Sequence, residues 1–430
     1  MSSQQSEQPA SEADIANAPV KPWASLQHSD YRLLLAGFAG NNLGTNALQV
    51  ANLWQVYQLS RSALDLGLTG LFQAIPLLTL GLFGGVLADS VDRKKLIIVA
   101  QAMRFVVTIA LAVVTHLEQV DVWHIYAVTM LYTLFGLVDR PARQSIIPNL
   151  VPRHYLFNAV ALQMTSNQIS RLAGPALAGV IIGVIGITNT YYAIAASSLL
   201  VILFLLMMRS AGDRAEAPPK VSFNMMVEGF QFLLRSPIIM GLIILDSSLT
   251  FFGAFRTLLP IFAEEVLHVG PAELGALYGA PGLGALIGAG FVMFLGNVSY
   301  KGRLVLATTG LYGLMCIPLG YSQWFWLSFL IVAALGLLDA AGATVRHTTV
   351  QLLTPDALRG RVTSAHQAFS MGAPSLGYLQ IGVTASLIGA SGALALGGIL
   401  CMATVLGMAF WWRQAAGSGT GDAGRQPGDV

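Results

Sequence analysis

The chain has 430 residues, 55% of them hydrophobic and only 10% charged, with a formal net charge of +2 and a mean hydropathy of +0.65. A soluble domain carries about 25% charged residues, so this much apolar surface has no place in a water-facing fold and must be solvated by lipid. The near-neutral balance, with no basic run outside the loops, gives no basis for binding nucleic acid.

In chain order, residues 1–30 are read as a cytoplasmic tail; its first 22 residues are polar and lack the basic-then-apolar order of a signal peptide. Apolar runs of roughly 20 residues then recur, each long enough to cross ~30 Å of hydrocarbon as a helix. About twelve are expected on that length rule, near 33–58, 66–88, 95–115, 123–146, 156–184, 188–208, 238–262, 272–296, 303–321, 324–350, 361–389 and 392–412. Lipid offers no partners for backbone N–H and C=O groups, so the expected class is an all-α membrane protein. Short alternating strands, the mark of a β-barrel, are missing. The long polar stretch 210–236 is read as a cytoplasmic linker between a first six-helix half, 31–209, and a second, 237–413. The Gly/Ser/Asp-rich residues 414–430 are expected to be a disordered tail.

Polar residues inside the spans are expensive in lipid and normally face a bundle interior. Span one carries Asn42, Asn46 and Gln49, and span five carries Gln163, Asn167 and Arg171; either set lies on one helix face. Span seven holds Asp246. Spans three, six, nine and twelve, the most nearly pure hydrocarbon, are expected to face lipid. Gly40/Gly44, Gly179/Gly183 and Gly284/Gly288 are spaced for close helix approach, and Pro76, Pro175, Pro281 and Pro374 should bend their spans. Trp54, Tyr57, Trp123, Trp324, Trp326, Trp411 and Trp412 near span ends read as interfacial anchors.

Lys and Arg placement sets the orientation. Arg93, Lys94, Lys95, Arg153, Arg214, Lys220, Arg235, Lys301, Arg303, Arg359 and Arg361 fall in one set of loops. The alternate loops hold Arg61 and then mainly acids such as Glu118, Glu264, Glu265 and Glu273. Both termini are therefore expected in the cytoplasm. The halves also look related: Gly136-Leu137-Val138-Asp139 in span four recurs as Gly336-Leu337-Leu338-Asp339 in span ten, with Pro175 and Pro374 following in register.

The hairpin Gly85-x-x-x-Asp89-x-x-Asp92-Arg93-Lys94-Lys95 resembles the span two–three motif of the major facilitator superfamily, with Asp92 where Gly is usual. Arg171-Leu172-Ala173-Gly174-Pro175 is similar to the Gly-Pro motif of its exporters. Together with Leu274 to Ala285 of span eight, these resemble the branch of enterobactin exporters and macrolide efflux proteins. The resemblance covers 30–413. The second-half counterpart, 296–303, lacks the Asp.

That resemblance implies the major facilitator fold, transport by alternating access, and a gate latch at Gly85, Asp89, Arg93 and Lys94. In it Asp89 would pair with Arg140 or Arg143, or cap span eleven. Asp139 and Asp339 would support the gate with Arg140, Arg143 and Arg346. Asp246 reads either as the coupling-proton site or as a permanent ion pair with Arg171 or Arg256. Those two arginines would otherwise meet an anionic substrate. No phosphate-binding G-x-x-x-x-G-K-[ST] loop and no H-E-x-x-H are present, and no metal or cofactor is expected.

The reading is a monomeric, proton-coupled exporter of a small amphipathic molecule, siderophore or drug-like, in the inner membrane. Uptake of a metabolite, or a non-transporting sensor or scaffold, remain open as alternatives.

Overall fold

The computed structural model describes residues 21–90, 92–209, 231–234, 236–295, 301–355 and 358–417. Among the described residues, ten long helices carry the fold: α1 Ser29–Ser60, α2 Ala63–Ser90, α3 Arg93–His116, α4 Val122–Ile146, α5 Leu156–Met207, α6 Pro237–Phe252, α7 Pro271–Leu295, α8 Lys301–Tyr321, α9 Phe325–Leu353 and α10 Arg359–Gly417. No strand occurs among the described residues. Local chemistry explains several boundaries. Asp92 caps α3 by accepting from Lys95 N at 3.2 Å, and Asp121 with His124 forms a capping box on α4.

Nine stretches among the described residues are long and apolar enough to cross a membrane. Two of them, Arg153–Met207 with 55 residues and Gly372–Arg413 with 42, are far longer than one crossing. Each is interrupted by a glycine in a backbone region that L side chains avoid, Gly186 at φ 85° and Gly389 at φ 79°. The sequence expectation ended and restarted its spans beside these same residues. Helix α1 falls short on hydropathy alone, because Asn41, Asn42, Asn46, Gln49, Asn52 and Gln55 lie along it. None of those six is exposed. Predicted span seven is not one continuous helix. It stops at Gly253, whose carbonyl accepts from Tyr312 Oη at 3.0 Å. It resumes as a 3-10 turn Phe255–Leu258, a turn Leu259–Ile261 and a π turn Phe262–Val266.

Helix α1 packs on α5, α2 on α4, and α3 on α4 and α5; α7 packs on α9, and α8 and α6 on α10. Two seams, α2 on α10 and α5 on α7, join the early helices to the late ones. Both seams are lined by glycine. A Cβ on Gly67 would lie 2.9 Å from Gly382 Cα, and one on Gly179 would lie 2.7 Å from Gly275 Cα. Gly284 and Gly288 likewise press α7 against the α9 backbone at Ala333 and Leu337. Gly40 does not take such a role, since nothing lies within 4 Å of its Cβ position.

Apolar burial is organised differently at the two ends of the bundle. At the end carrying Arg61, one core runs through both groups of helices, from Ala47, Val56, Leu111 and Ile125 to Leu258, Leu277, Leu335 and Leu394. At the end carrying Arg93 there are two separate cores. One contains Tyr31, Phe38, Ile97, Ile146 and Leu205; the other contains Leu242, Val305, Val350 and Met408. Tyr57 is fully buried and Trp54 packs on the shared core, so neither is the interfacial anchor expected. Trp123, Trp324 and Trp326 are exposed. Predicted span three also departs from expectation: Gln101, Arg104 and Thr108 of α3 are buried in protein rather than replaced by lipid-facing carbon.

Candidate functional site

Two clusters of charge lie within the bundle. In the first, Asp139 of α4 accepts from Arg143 at 2.6 Å and from Arg104 of α3 at 3.3 Å. The Asp139 side chain is 0% exposed and that of Arg104 4%. Arg104 also donates to Tyr132 O at 3.3 Å and lies over the Tyr132 ring. It fits because residue 136 is glycine: a Cβ there would sit 2.2 Å from Arg104 Nη2. Arg143 reaches Asn42 Oδ1 of α1 at 3.4 Å, and Asn42 donates to Asn167 of α5 at 2.6 Å. The predicted polar stripes of spans one and five thus meet. Asn46 bonds its own helix at Asn42 O, Gln49 donates to Tyr378 of α10 at 3.3 Å, and the buried Gln163 Oε1 has no partner among the described residues.

In the second cluster, Arg346 of α9 pairs with Asp246 of α6 at 2.5 Å and with Asp339 at 3.4 Å. Asp246 also accepts from Ser370 of α10 at 3.1 Å. Arg346 is 2% exposed and Asp246 14%, whereas Asp339 is 53% exposed. Room for this arginine again comes from a glycine, since a Cβ on Gly342 would lie 2.9 Å from Arg346 Nη1. The expected pairing of Asp246 with Arg171 or Arg256 is therefore corrected. Its partner is Arg346, which presents a guanidinium from the helix packed beside α6.

Neither Arg171 nor Arg256 has a side-chain hydrogen bond or ion pair among the described residues. Arg171 lies within electrostatic range of both Arg256 and Asp339. Arg140 does not join Asp139 in an ion pair; it is exposed, within electrostatic range of Arg171. Arg143 pairs with Asp139, and the expected pairing of Asp89 with Arg140 or Arg143 lies outside the described residues. Gly85 and Asp89 fall in the last two turns of α2, with side chains outside the described residues. Arg93 and Lys94 anchor helix ends, donating to Ser145 O and Met208 O, each at 2.8 Å.

At the Arg61 end, polar contacts tie α1 to the π turn. Tyr57 donates to Glu265, Arg61 pairs with Glu264, and Gln58 donates to Glu264 at 2.6 Å. Two apolar hollows lie elsewhere. One, of about 300 Å³, is lined by Met240, Ile243, Phe251 and Thr404; the other, of about 150 Å³, by Leu43, Leu177 and Ile194. Neither is lined by a charged group.

Sequence reasoning passed over Arg104; it set Arg346 with Asp339, a pair present at 3.4 Å, but missed Asp246 at 2.5 Å. The available signal was the glycine one turn before each aspartate or arginine, which clears space for a guanidinium.

Comparison with known proteins agrees with this architecture. The chain is 29% identical over 347 residues to the enterobactin exporter EntS of Shigella boydii serotype 18, covering 79% of this chain and 80% of the relative. It is 30% identical over 318 residues to EntS of Shigella boydii serotype 4, covering 72% and 73%. Among solved structures, the nucleoside transporter NupG superposes with a TM-score of 0.73 at 12% identity, covering 89% of this chain and 99% of that one. An inward-facing, unoccupied bacterial homolog of the human lysosomal transporter Spinster gives 0.68 at 14% identity, covering 89% and 94%. These two establish the fold alone. The transmembrane secretion effector model matches residues 20–416, and with that match the chain belongs to the transmembrane secretion effector family of major facilitator transporters, integral membrane proteins rather than enzymes.

Proposed function

We propose that this protein is a secondary exporter working by alternating access, with cargo of the siderophore or drug-like class and inward proton flow as the driving force. It would cross the inner membrane twelve times as two six-helix halves, 31–209 and 237–413, act as a monomer, and keep both termini in the cytoplasm. The twelve-span reading is supported by the breaks at Gly186 and Gly389, which divide the two over-long stretches, and by α1, whose amide side chains explain its low hydropathy.

The observation that carries the proposal is the arrangement of cores. A shared core and the Tyr57, Gln58 and Arg61 contacts close the Arg61 end, while among the described residues the Arg93 end has two separate cores with none spanning both halves. With the cationic loops at the cytoplasmic face, that is a carrier open to the cytoplasm, ready to load cargo for export. In the opposite state the hairpin with Gly85, Asp89, Arg93 and Lys94 would close the inner face. Asp246 is our coupling site: protonation would remove one of the two carboxylates on Arg346 and free that guanidinium to repack α9 against α6 and α10. The EntS relatives support the export direction and a siderophore as cargo.

The test is efflux from cells loaded with enterobactin and a panel of amphipathic drugs, with and without a protonophore. Protein-dependent efflux that stops with the protonophore supports the reading. Gradient-independent efflux removes the coupling, and gradient-driven accumulation reverses the direction.

A further inference from the structure

Among the described residues, three arginines within the bundle have no carboxylate in ion-pair contact. Arg140 of α4 lies beside Ala142 of the first-half core, and Arg256 lies between Phe255 and Leu258 of the shared core. Arg171 of α5 is within electrostatic range of both. Arg140 and Arg171 are exposed and Arg256 half-buried, and none has a side-chain hydrogen bond or ion pair among the described residues. Each comes from a different element, and together they run from the open Arg93 end toward the closed Arg61 end.

A cation at membrane depth is costly, and like charges in range of one another add to that cost. Elsewhere in this chain the same expense is met by pairing: Arg104 and Arg143 share Asp139, and Arg346 holds Asp246 and Asp339. Among the described residues these three are thus the exception to that rule. Aromatic side chains nearby include Tyr278, which donates to Arg256 O at 2.7 Å, and Tyr378, bonded to Gln49. Forked guanidinium donors on an aromatic-lined path suit planar carboxylate, sulfonate or phenolate groups.

We propose that Arg140, Arg171 and Arg256 form a ladder of sites for an anionic cargo bearing two or more spaced negative groups, with Asp339, within electrostatic range of Arg171, as the internal carboxylate that competes with such a cargo. This rests on the export reading for the word cargo, and on the arginines alone for the charge class. Asp339 is suited to that part because it is half exposed and held by Arg346 at 3.4 Å, the longer of that arginine's two pairs.

The experiment is calorimetric titration of the full chain in lipid nanodiscs with three probes on one ring: benzene-1,3,5-tricarboxylate, its tricarboxamide, and 1,3,5-tris(aminomethyl)benzene. Binding of the tricarboxylate alone is expected. Arg171→Gln and Arg256→Gln should each weaken it roughly tenfold or more, and Arg140→Gln should weaken it less. Asp339→Asn should tighten it, a gain that a merely structural role would not give. Arg153→Gln, in the exposed turn Arg153–Tyr155, should leave it unchanged, and the melting temperature of each variant reports folding separately. Equal binding of the neutral or cationic probe, no binding of the tricarboxylate, or indifference to Arg171→Gln would overturn the ladder. Tricarboxylate binding without efflux of any cargo would instead sink the export reading and keep the site, while gradient-driven efflux of cationic cargo alone would do the reverse.

Discussion

The two buried charge clusters are built on matching sequence and arrive at opposite arrangements. Around Asp139 one acid, itself fully buried, serves two arginines that are at most 10% exposed; around Arg346 one arginine serves two acids, one of them half exposed. The tetrads Gly136 to Asp139 and Gly336 to Asp339 are near-copies. The difference arises from two neighbours. The arginine lies one turn after the acid in α4 and two turns after it in α9, and the facing residue is the amide Asn42 on α1 but the carboxylate Asp246 on α6. A dry cluster whose every charge is committed acts as a lock. A half-open cluster in which a cation has two acids to choose between has two low-energy states, and that is what a switch requires.

The widest separation between the two should come from Asp139→Asn. Leaving Arg104 and Arg143 buried without a counter-charge should destabilise the protein by about 3–5 kcal/mol, seen as a large fall in melting temperature by fluorescence-detected size exclusion. Equal melting of the variant and the parent would refute the lock. Adding Asn42→Asp to that variant should recover part of the loss, because Arg143 already reaches the residue 42 side chain.

Asp246→Asn should behave differently. Arg346 keeps Asp339, so the melting temperature should fall less than for Asp139→Asn. Cargo efflux in vesicles, however, should lose its response to an imposed pH gradient. If gradient-driven efflux is normal, Asp246 is structural and the two clusters are alike in kind.

Smaller effects grade the space left for each guanidinium. Gly136→Ala brings a Cβ within 2.2 Å of Arg104 and should cost about 1–3 kcal/mol. Gly342→Ala, at 2.9 Å from Arg346, should cost less. Smallest is Asp339→Asn, expected to change stability by no more than about 1 kcal/mol because the carboxylate is half exposed.

Much of the fold was legible in the chain because lipid imposes a length rule: apolar runs end where hydrocarbon ends, and the observed helices follow the expected spans within a few residues. Even the breaks were legible: Gly186 falls between two predicted spans and Gly389 ends one. The polar stripes were legible too, as Asn42 meeting Asn167 shows. What the chain concealed were partners. Asp246 and Arg346 are a hundred positions apart, and nothing local distinguishes Arg346 from Arg171 or Arg256 as the mate. Arg104 was hidden in a hydrocarbon-rich span, its burial decided by a glycine on the adjacent helix. Pairing is set by which helices touch, and that follows from packing rather than from spacing along one helix.

The glycine seams have a mechanical consequence. Where α2 meets α10 at Gly67 and Gly382, and α5 meets α7 at Gly179 and Gly275, backbone lies directly on backbone. Ordinary helix contacts interlock side chains as ridges in grooves, and parting them means unpicking many rotamers together. A smooth contact has few teeth to disengage, so in a rocking carrier these seams would work as bearings, and the resistance to opening would fall on the shared apolar core and the polar fasteners at Tyr57, Gln58 and Arg61.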